Sequence, residues 1–223
     1  MVKPRDPNVQ LVSLLAFQSI DLVIDVGANR GQYASRLRGH GYDKRICSVE
    51  PIAEIHEALR RIAEPDPLWS VLPPMALGSA PGEAALEISA ESDMSSILAQ
   101  NRFLRDRSPS SAIERREMVR LERLDRLDDA LPSFDRALLK IDVQGYEPEV
   151  LAGAEGVMDR IVAIQLEMAL LPLYEGERDY RWTLQHMAER GYELFLLIPG
   201  YFDPKLARQI QCDGVFVHRE LGR

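Results

Sequence analysis

Short apolar runs alternate with segments of helical spacing along most of the chain. Mainly apolar runs, as at 21–27, predict strands that are buried on both faces of a sheet. Apolar residues three and four positions apart, as at 53–63, predict amphipathic helices. The pattern predicts strands at 21–27, 45–51, 69–79, 136–147, 161–168, 192–200 and 210–219, and helices at 9–17, 31–40, 53–63, 147–158 and 180–191.

The order of these elements predicts the fold class. Strands and helices alternate from residue 21 to 79 and again from 136, which is typical of a parallel sheet with right-handed crossovers. Only a turn and a loop separate the strands at 192–200 and 210–219, so they are predicted to form an antiparallel hairpin. The sequence therefore predicts an α/β, Rossmann-like seven-stranded sheet, mostly parallel with an antiparallel last strand, and with helices on both faces.

The middle of the chain departs from this alternation. Residues 82–90 alternate like an edge strand, 116–124 predict another strand, and the serine- and arginine-rich stretch 91–111 predicts a long loop. Long loops in compact domains are usually functional, so 91–111 is predicted to be a lid over the site. We predict one domain over residues 1–223, with an N-terminal helical segment at 1–19 and an inserted strand and lid region at 80–121.

A glycine loop follows the first predicted strand in the stretch VIDVGANRGQY (23–33). A strand, a glycine loop and a helix present backbone N–H groups and a helix N-terminus to a ligand, and Gly27 and Gly31 are expected to let it approach closely. The second strand ends in Glu50, where an acid accepts hydrogen bonds from the hydroxyls of an adenosyl ribose. Loop and acid together fit NAD or S-adenosylmethionine.

Three features favour S-adenosylmethionine over NAD. The loop reads D-x-G-x-N-x-G, one glycine short of the pyrophosphate-binding pattern. A chain of 223 residues is short for a dinucleotide domain and a substrate domain together. The antiparallel end of the sheet suits the seven-stranded sheet of methyltransferases. An NAD-dependent oxidoreductase stays as an alternative.

Composition narrows the functional classes. The net charge of −8 disfavours a long basic footprint for nucleic acid. Cys47 and Cys212 are distant and lie in apolar runs, so they predict neither a disulfide framework nor a zinc site. The start of the chain lacks the apolar stretch of a signal peptide, and no apolar run is long enough to span a bilayer. These features predict a cytoplasmic protein.

The chain resembles the FkbM-type S-adenosylmethionine-dependent O-methyltransferases from about residue 20 to residue 218. The resemblance is carried, in order, by DVGANRGQY, SVEP, MALG, DMSSIL, LERLDRL, LLKIDVQGYEPEVLAGA, QLEMALLPLYEG and QCDGVF. It implies a class I methyltransferase sheet. LPLYEG followed by DGVF is similar to bacterial members that modify sugars of glycolipids or surface polysaccharides. The implied acceptor is therefore a small-molecule or lipid-linked glycan, and the implied site of action is cytoplasmic or peripheral to the inner face of the membrane.

The resemblance implies a cofactor cleft at the carboxyl ends of the strands. Asp25 is expected to fix the glycine loop or to reach the cofactor's amino group through water, and Glu50 to hold the ribose. Ala76 and Leu77 are expected near the adenine, and Ser95 and Ser96 over the cofactor. The implied cofactor-binding residues are Asp25, Gly27, Ala28, Asn29, Gly31, Gln32, Tyr33, Glu50, Pro51, Ala76, Leu77, Ser95, Ser96 and Asp142.

Methyl transfer to a hydroxyl needs alignment and a general base. The candidate bases end strands, namely Asp142, Glu167 and Asp213, with His218 as an outsider. Lys140 precedes Asp142 on the fourth main strand and completes the predicted catalytic group. The alternatives are structural, since Asp142 could cap the turn at 145, Glu167 could pair with an arginine and His218 could be a packed or rim histidine.

A metal is the less favoured alternative. Asp142, Glu167 and Asp213 could together hold Mg²⁺, which acidifies a hydroxyl. Much of the wider family has K-x-D-V-E-G where this chain has KIDVQG, so Gln144 stands in place of a glutamate. The usual acid after the AL(G/S) motif is absent too, because Ser79 follows Gly78.

Several alternatives concern the acceptor and the histidines. Tyr174, Tyr180 and Trp182 could stack on a sugar, or could be core or dimer contacts, so a homodimer stays open. His56 is predicted on the solvent face of a helix. The acceptor could instead be a polyketide or another secondary metabolite, or the chain could bind the cofactor without catalysis. A nucleic-acid base as acceptor is set aside, because DVQG replaces the Asn/Asp-Pro-Pro-aromatic turn that grips a flipped base.

Overall fold

The first third of the chain builds three parallel strands and the helices between them. A computed structural model describes residues 6–223, except for the side chain of Ser110. The elements are α1 (Pro7–Phe17), β1 (Leu22–Val26), α2 (Gln32–Gly39), β2 (Arg45–Val49), α3 (Ala53–Ala63) and β3 (Trp69–Val71). The Asp6 side chain accepts a hydrogen bond from the Asn8 amide and so caps α1, and α2 ends just before Gly41, whose φ is +93°.

The middle of the chain forms a second, smaller sheet. Its elements are β4 (Ala76–Leu77), β5 (Gly82–Ser89), α4 (Arg102–Arg107) and β6 (Ile113–Glu122). β6 lies between β4, to which it is parallel, and β5, to which it is antiparallel. Pro73 and Pro74 separate β3 from β4, where the chain leaves the main sheet. The 82–90 segment is thus an edge strand, but of this separate sheet.

The last part of the chain completes the main sheet. Its elements are β7 (Ala137–Ile141), α5 (Glu147–Ala152), β8 (Ile161–Ala169), α6 (Tyr180–Glu189), β9 (Tyr192–Pro199), β10 (Phe202–Asp203), β11 (Arg208–Gln209) and β12 (Gln211–His218). The main sheet has the order β3-β2-β1-β7-β8-β12-β9. β12 is antiparallel to both of its neighbours, which confirms the predicted hairpin and the mostly parallel sheet.

Both faces of the main sheet are covered, as its apolar strands predicted. Val23, Leu138 and Val215 pack with α1, α2 and α3 on one face. Ile24 and Leu139 belong to the core on the other face, which includes residues of α5 and α6. A fully buried aliphatic side chain contributes about 1.5–3 kcal/mol to stability, so these two layers hold the sheet together.

Two predictions need correction. The helix expected at 147–158 ends at Ala152 and gives way to a 3-10 helix at Glu155–Arg160. His56 is buried and not solvent-facing, with its Nε2 2.6 Å from the Leu72 carbonyl oxygen after β3. Among residues 6–223, no helix has both the length and the apolar composition to cross a membrane.

Candidate active site

A cavity of about 450 Å³ opens at the carboxyl ends of β1, β2 and β7. The chain leaves β1 toward β2 on one side, while β7 lies on the other, so the cavity is at the switch point of the sheet. The small sheet closes one wall, because Leu86 of β5 packs with Ile52 and Ile55 at the start of α3. The volume lies within the range usual for cofactor pockets, roughly 300–1,000 Å³.

The glycine loop uses its own backbone N–H groups internally. Five consecutive N–H groups donate to protein acceptors at 3.1 Å or less: Gly27 and Ala28 to the Val49 carbonyl, Asn29 to Glu50 Oε2, Arg30 to Asn29 Oδ1, and Gly31 to the Ala28 carbonyl. The expectation that this loop offers its N–H groups to a ligand is therefore wrong. A pyrophosphate needs such free donors, so the loop does not fit a dinucleotide.

The two glycines of the loop are required for packing within the protein. At Gly27, with φ +73°, a Cβ would lie 1.9 Å from the Asp142 carbonyl oxygen. At Gly31, with φ +80°, a Cβ would lie 2.8 Å from the Trp69 ring and 2.9 Å from Leu59. Gly31 does not line the cavity. The expectation that it lets a ligand approach is therefore corrected to close packing of the loop on α3 and β3.

Glu50 joins the glycine loop to the start of α3. Its carboxylate accepts hydrogen bonds from the Asn29 amide at 2.9 Å and from the Ile52 amide at 2.9 Å. The side chain lines the cavity, although the residue is only 4% exposed. Burial raises the pKa of Glu50 to about 7, and the two amide donors limit the shift. Each carboxylate oxygen keeps a further lone pair for a ligand hydroxyl.

A buried ion pair underlies the loop. Asp25 on β1 and Lys140 on β7 are register partners, and Lys140 Nζ lies 3.0 Å from Asp25 Oδ1 and 3.3 Å from the Gly27 carbonyl oxygen. Asp25 is fully buried and does not line the cavity, so it fixes the loop through Lys140. Burial alone would lower the pKa of Lys140, but the carboxylates of Asp25 and Asp142 raise it above its usual range. Lys140 therefore stays protonated.

Asp142 follows β7 and lines the cavity. Its Oδ1 accepts a hydrogen bond from Gln144 Nε2 at 2.9 Å, and its Oδ2 lies 3.5 Å from Lys140 Nζ. The side chain is 42% exposed and lines the cavity, and each of its two oxygens also has one protein partner.

Gln144 connects the candidate carboxylates. Its amide nitrogen also donates to Glu167 Oε2 at 3.1 Å, and its Oε1 accepts from the Tyr174 hydroxyl at 2.9 Å. The backbone of Gln144 has φ +56°, and its carbonyl accepts from the Ser96 hydroxyl at 2.6 Å. This strained conformation fixes an amide between two acids, where a third carboxylate would repel both.

Glu167 and Asp213 are register partners on β8 and β12, next to Gln144. Glu167 Oε2 also accepts from Gln211 Nε2 at 2.8 Å, and Asp213 accepts from Gln165 Nε2 at 2.8 Å. Burial and then the charge of Asp142 raise the pKa of Glu167 well above its usual range. Burial raises the pKa of Asp213 to about 6. Neither residue lines the cavity, so both lie behind Asp142.

The methyltransferase FkbM domain matches residues 25–194, which include the glycine loop, Glu50, Asp142 and Glu167. The chain belongs to the FkbM methyltransferase family. It is an S-adenosylmethionine-dependent methyltransferase. No curated protein matches the chain significantly.

Solved structures share the fold of this FkbM methyltransferase. The methyltransferase domain of bacterial CtHen1 is 14% identical with a TM-score of 0.50, covering 95% of this chain and 97% of that one. Magnesium protoporphyrin IX methyltransferase from Synechocystis PCC 6803, solved with bound S-adenosylmethionine, is 10% identical with a TM-score of 0.53, covering 96% and 77%. A putative RNA methyltransferase from Pyrococcus horikoshii is 11% identical with a TM-score of 0.51, covering 95% and 81%. These likenesses confirm the class I methyltransferase sheet.

Most of the predicted cofactor-binding residues of the FkbM methyltransferase line the cavity. Those that do are Gly27, Ala28, Asn29, Gln32, Tyr33, Glu50, Pro51, Ala76, Leu77, Ser95 and Asp142. Asp25, Gly31 and Ser96 do not line it. Ser96 instead anchors the 91–111 segment to the Gln144 carbonyl.

Several cavity residues were not predicted. Arg36 follows Gln32 by one helical turn, so its place on the same face could have been read from that spacing. Ser92 contacts the glycine loop, with its hydroxyl 3.1 Å from Asn29 Nδ2. The other unpredicted lining residues are Val26, Val49, Ile52, Met75, Leu86, Asp93, Ile97, Val143, Gln144 and Tyr146, and Lys140 lines the cavity besides its predicted catalytic place.

Three residues proposed from the sequence lie elsewhere. His218 pairs with Tyr192 at the start of β9, at the opposite end of the sheet from the cavity, so it is a packed histidine. Tyr174 is buried under the 91–111 segment, with its hydroxyl on Gln144 and the Met94 carbonyl. Trp182 stacks on His186 with the ring centroids 4.2 Å apart. Of the alternatives that the sequence left open for Tyr174, a sugar-stacking, core or dimer residue, the structure shows a core residue.

We expect Glu50→Gln to weaken S-adenosylmethionine binding about tenfold to a hundredfold, as loss of a charged hydrogen-bond acceptor costs about 1.5–3 kcal/mol. The amide group of glutamine would also oppose one of the two backbone donors that the carboxylate now satisfies. Calorimetric titration measures the dissociation constant. Glu57→Gln, on an exposed face of α3, is the matched control. An unchanged affinity in Glu50→Gln would show that this carboxylate does not hold the cofactor.

Proposed function

We propose that this FkbM methyltransferase transfers a methyl group to a hydroxyl of a sugar in a glycolipid or a surface polysaccharide. The observation that carries the proposal is the arrangement of Asp142, which lines the cofactor cavity, is 42% exposed, and is held in place by Gln144 and Lys140. A hydroxyl group is a poor nucleophile while it is protonated, so a carboxylate in this position can act as the general base that removes the proton.

The residues that line the cavity fit S-adenosylmethionine. Glu50 offers acceptors for the ribose hydroxyls, and Met75, Leu77 and Leu86 supply an apolar wall for the adenine. Arg36 lines the cavity and forms no ion pair with the carboxylates of residues 6–223, so it can take the carboxylate of the methionine part. When bound, S-adenosylmethionine supplies a methyl group already activated by the positive sulfur.

Asp142 accepts the proton of the acceptor hydroxyl in this proposal. Glu167 and Asp213 stand behind it, and their raised pKa values reflect how costly further negative charge is at this place. Gln144 donates to both Asp142 and Glu167 and thereby orients the base. Lys140 Nζ lies 3.5 Å from Asp142 Oδ2 and, because it is already protonated, does not take the proton.

The acceptor side of the cavity suits a ligand rich in hydroxyl groups. Asp142 and Gln144 line the cavity there, backed by a polar layer of Glu167, Gln211 and Asp213, and the carboxylate and amide of the lining can accept hydrogen bonds from sugar hydroxyls. Aromatic surface that would suit a planar apolar acceptor such as a polyketide is limited to Tyr33 and Tyr146 in the cavity lining, because Tyr174 is buried. Within residues 6–223, no group of three or more histidine, cysteine or acidic side chains is placed to hold a metal ion, so the proposal assigns no step to Mg²⁺.

Cofactor binding should depend on pH through Glu50. Burial holds its pKa near 7, and a ligand hydroxyl needs the ionised form as acceptor. We therefore expect the affinity for S-adenosylmethionine to fall as the pH drops below about 7, by up to about tenfold per pH unit. The same titration of Glu50→Gln should lose this dependence. An identical pH profile in both proteins would assign the titration to another group.

A transfer assay with methyl-labelled S-adenosylmethionine tests the function. Acceptors are simple glycosides, glycolipid extracts and polyhydroxylated secondary metabolites, each with EDTA and with added Mg²⁺. Label in an alkali-stable methyl ether of a sugar supports the proposal. Label only in a secondary metabolite, or in a methyl amine or methyl ester, contradicts it.

A further inference from the structure

Two neighbouring segments at the cavity end of the molecule form a surface that the proposed reaction does not use. The segments are 101–108, which contains α4, and 200–209, which contains the hairpin of β10 and β11. We name this surface the basic–aromatic patch. Arg107 joins the segments, because its guanidinium lies 3.5 Å from Asp203 and 5.0 Å from the centre of the Phe103 ring. Lys205 shares a shallow groove with Arg102 and Phe103.

The patch is positive on an acidic protein. Its two segments contain five cations and two carboxylates, a net charge of +3, whereas the whole chain has −8. The cations are Arg102, Arg105, Arg107, Lys205 and Arg208. The side chains of Lys205 and Arg208 form no ion pair with the carboxylates of residues 6–223. The remainder of the chain therefore carries −11, and the patch is where an anionic surface would be attracted.

Large apolar side chains project among these cations. Tyr201, Phe202 and Leu206 are 41%, 50% and 39% exposed, although they lie on a hairpin whose base, Ile210, is completely buried. β10 and β11 pair only with each other within the described chain, so the hairpin projects from the main sheet. Aromatic tips flanked by lysine and arginine are typical of segments that insert into the interface of a lipid bilayer.

The patch lies at the acceptor end of the site. Ile210 leads directly into β12, which carries Asp213, and packs with Leu104 of α4 and with Tyr174. The Tyr174 hydroxyl in turn contacts Gln144 beside Asp142. A flat anionic surface seated on the patch would therefore lie on the same end of the molecule as Asp142.

We propose that the basic–aromatic patch docks this enzyme onto an anionic phospholipid bilayer. This inference rests on the proposed function and makes it more specific, because an enzyme docked on a bilayer would act on a lipid-linked glycan. Docking itself involves no chemistry, so it can be measured apart from methyl transfer.

Vesicle cosedimentation tests the docking with the intact protein. The vesicles are phosphatidylcholine alone, or phosphatidylcholine with about one third phosphatidylglycerol, a fraction that gives a strongly negative surface. We expect binding to the anionic vesicles only, and weaker binding as salt is added. Lys205→Glu with Arg208→Glu should weaken it by at least about tenfold, because each cation at an anionic bilayer contributes about fivefold. Phe202→Ser with Leu206→Ser should weaken it at every salt concentration.

Matched variants and thermal unfolding separate docking from misfolding. Arg60→Glu with Arg61→Glu makes the same charge change on α3, and Phe17→Ser with Met118→Ser removes side chains that are 62% and 65% exposed away from the patch. These controls should bind like the wild type. Equal binding by patch and control variants would overturn the proposal. So would absence of binding to anionic vesicles, or a change of oligomeric state or of DNA binding as the only effect of the patch variants.

If the vesicles bind as expected and no sugar is methylated, docking stands and the proposed acceptor fails. If sugars are methylated equally with and without the patch substitutions, and vesicles do not bind, the reaction stands and docking fails. The two conclusions are therefore separable by experiment.

Discussion

Asp142→Asn should lower kcat for methyl transfer by about 10²- to 10⁴-fold, the usual contribution of a general base. Asparagine keeps the size of the side chain and can still contact Gln144, but it cannot take a proton from a hydroxyl. Because the proposal assigns the cofactor contacts to Glu50, Arg36 and the apolar wall, we expect the dissociation constant of S-adenosylmethionine to change little. Initial rates at saturating cofactor, together with calorimetric titration, measure the two effects separately.

The control for Asp142→Asn is Asp43→Asn, the same change on a side chain that is 79% exposed and far from the site. It should leave both constants unchanged. A rate for Asp142→Asn within about threefold of the wild type would exclude this residue as the base, since a base contributes far more. A loss of cofactor affinity equal to the loss of rate would instead make Asp142 a cofactor-binding residue.

Gly27→Ala should destabilise the protein by about 2–5 kcal/mol, because a side chain at positive φ costs about 1–2 kcal/mol and overpacking adds about 1–3 kcal/mol. The added Cβ would meet the Asp142 carbonyl oxygen at 1.9 Å, and two backbone segments must separate to admit it. The same movement displaces the candidate base, so activity should fall at temperatures where the protein is still folded. Denaturant unfolding measures the change in stability.

Gly39→Ala is the matched control for Gly27→Ala. Gly39 is the last residue of α2, its φ is not positive, and a Cβ there meets no atom within 4 Å. This variant should be neutral or slightly more stable, because alanine loses less conformational entropy on folding than glycine. A Gly27→Ala protein as stable as Gly39→Ala would mean that the glycine loop and the β7 turn are not in close contact.

The main sheet could be predicted because its strands are apolar on both faces. Leu22–Val26 and Ala137–Ile141 are apolar except for Asp25 and Lys140, and the sheet order then follows from the alternation with helices. The small sheet could not be predicted, because β4 pairs with β6 some 45 positions along the chain, as in Ala76 with Leu121. The end of α5 was missed for a related reason. Gly153, which follows the last residue of α5, packs against Gly78, a residue distant in the sequence, and a Cβ there would lie 2.1 Å from the Gly78 carbonyl oxygen.

Some features of the candidate site could likewise be predicted from the sequence, and others depend on contacts that are distant in the sequence. Glu50 could be predicted because its place at the end of the second strand fixes its position in space. Helical spacing predicted that His56 lies on the polar face of α3. Its burial could not be predicted, because it depends on the contact with the Leu72 carbonyl oxygen, which is distant in the sequence. The N–H groups of the glycine loop were expected to face a ligand, since nothing in the local sequence shows that Val49 takes two of them.

The position of β12 sets the order in which the sheet can be completed during synthesis. β9 pairs with β12 alone, so it has no neighbouring strand until the chain has been made as far as His218. β1, β2 and β7, which carry the cofactor cavity, can pair earlier because domains form from the N-terminal side as the chain emerges. Until then Phe195 and Leu197 belong to an unpaired apolar strand, which is prone to aggregate. Asp213 lies on β12, so the polar layer behind Asp142 is completed last.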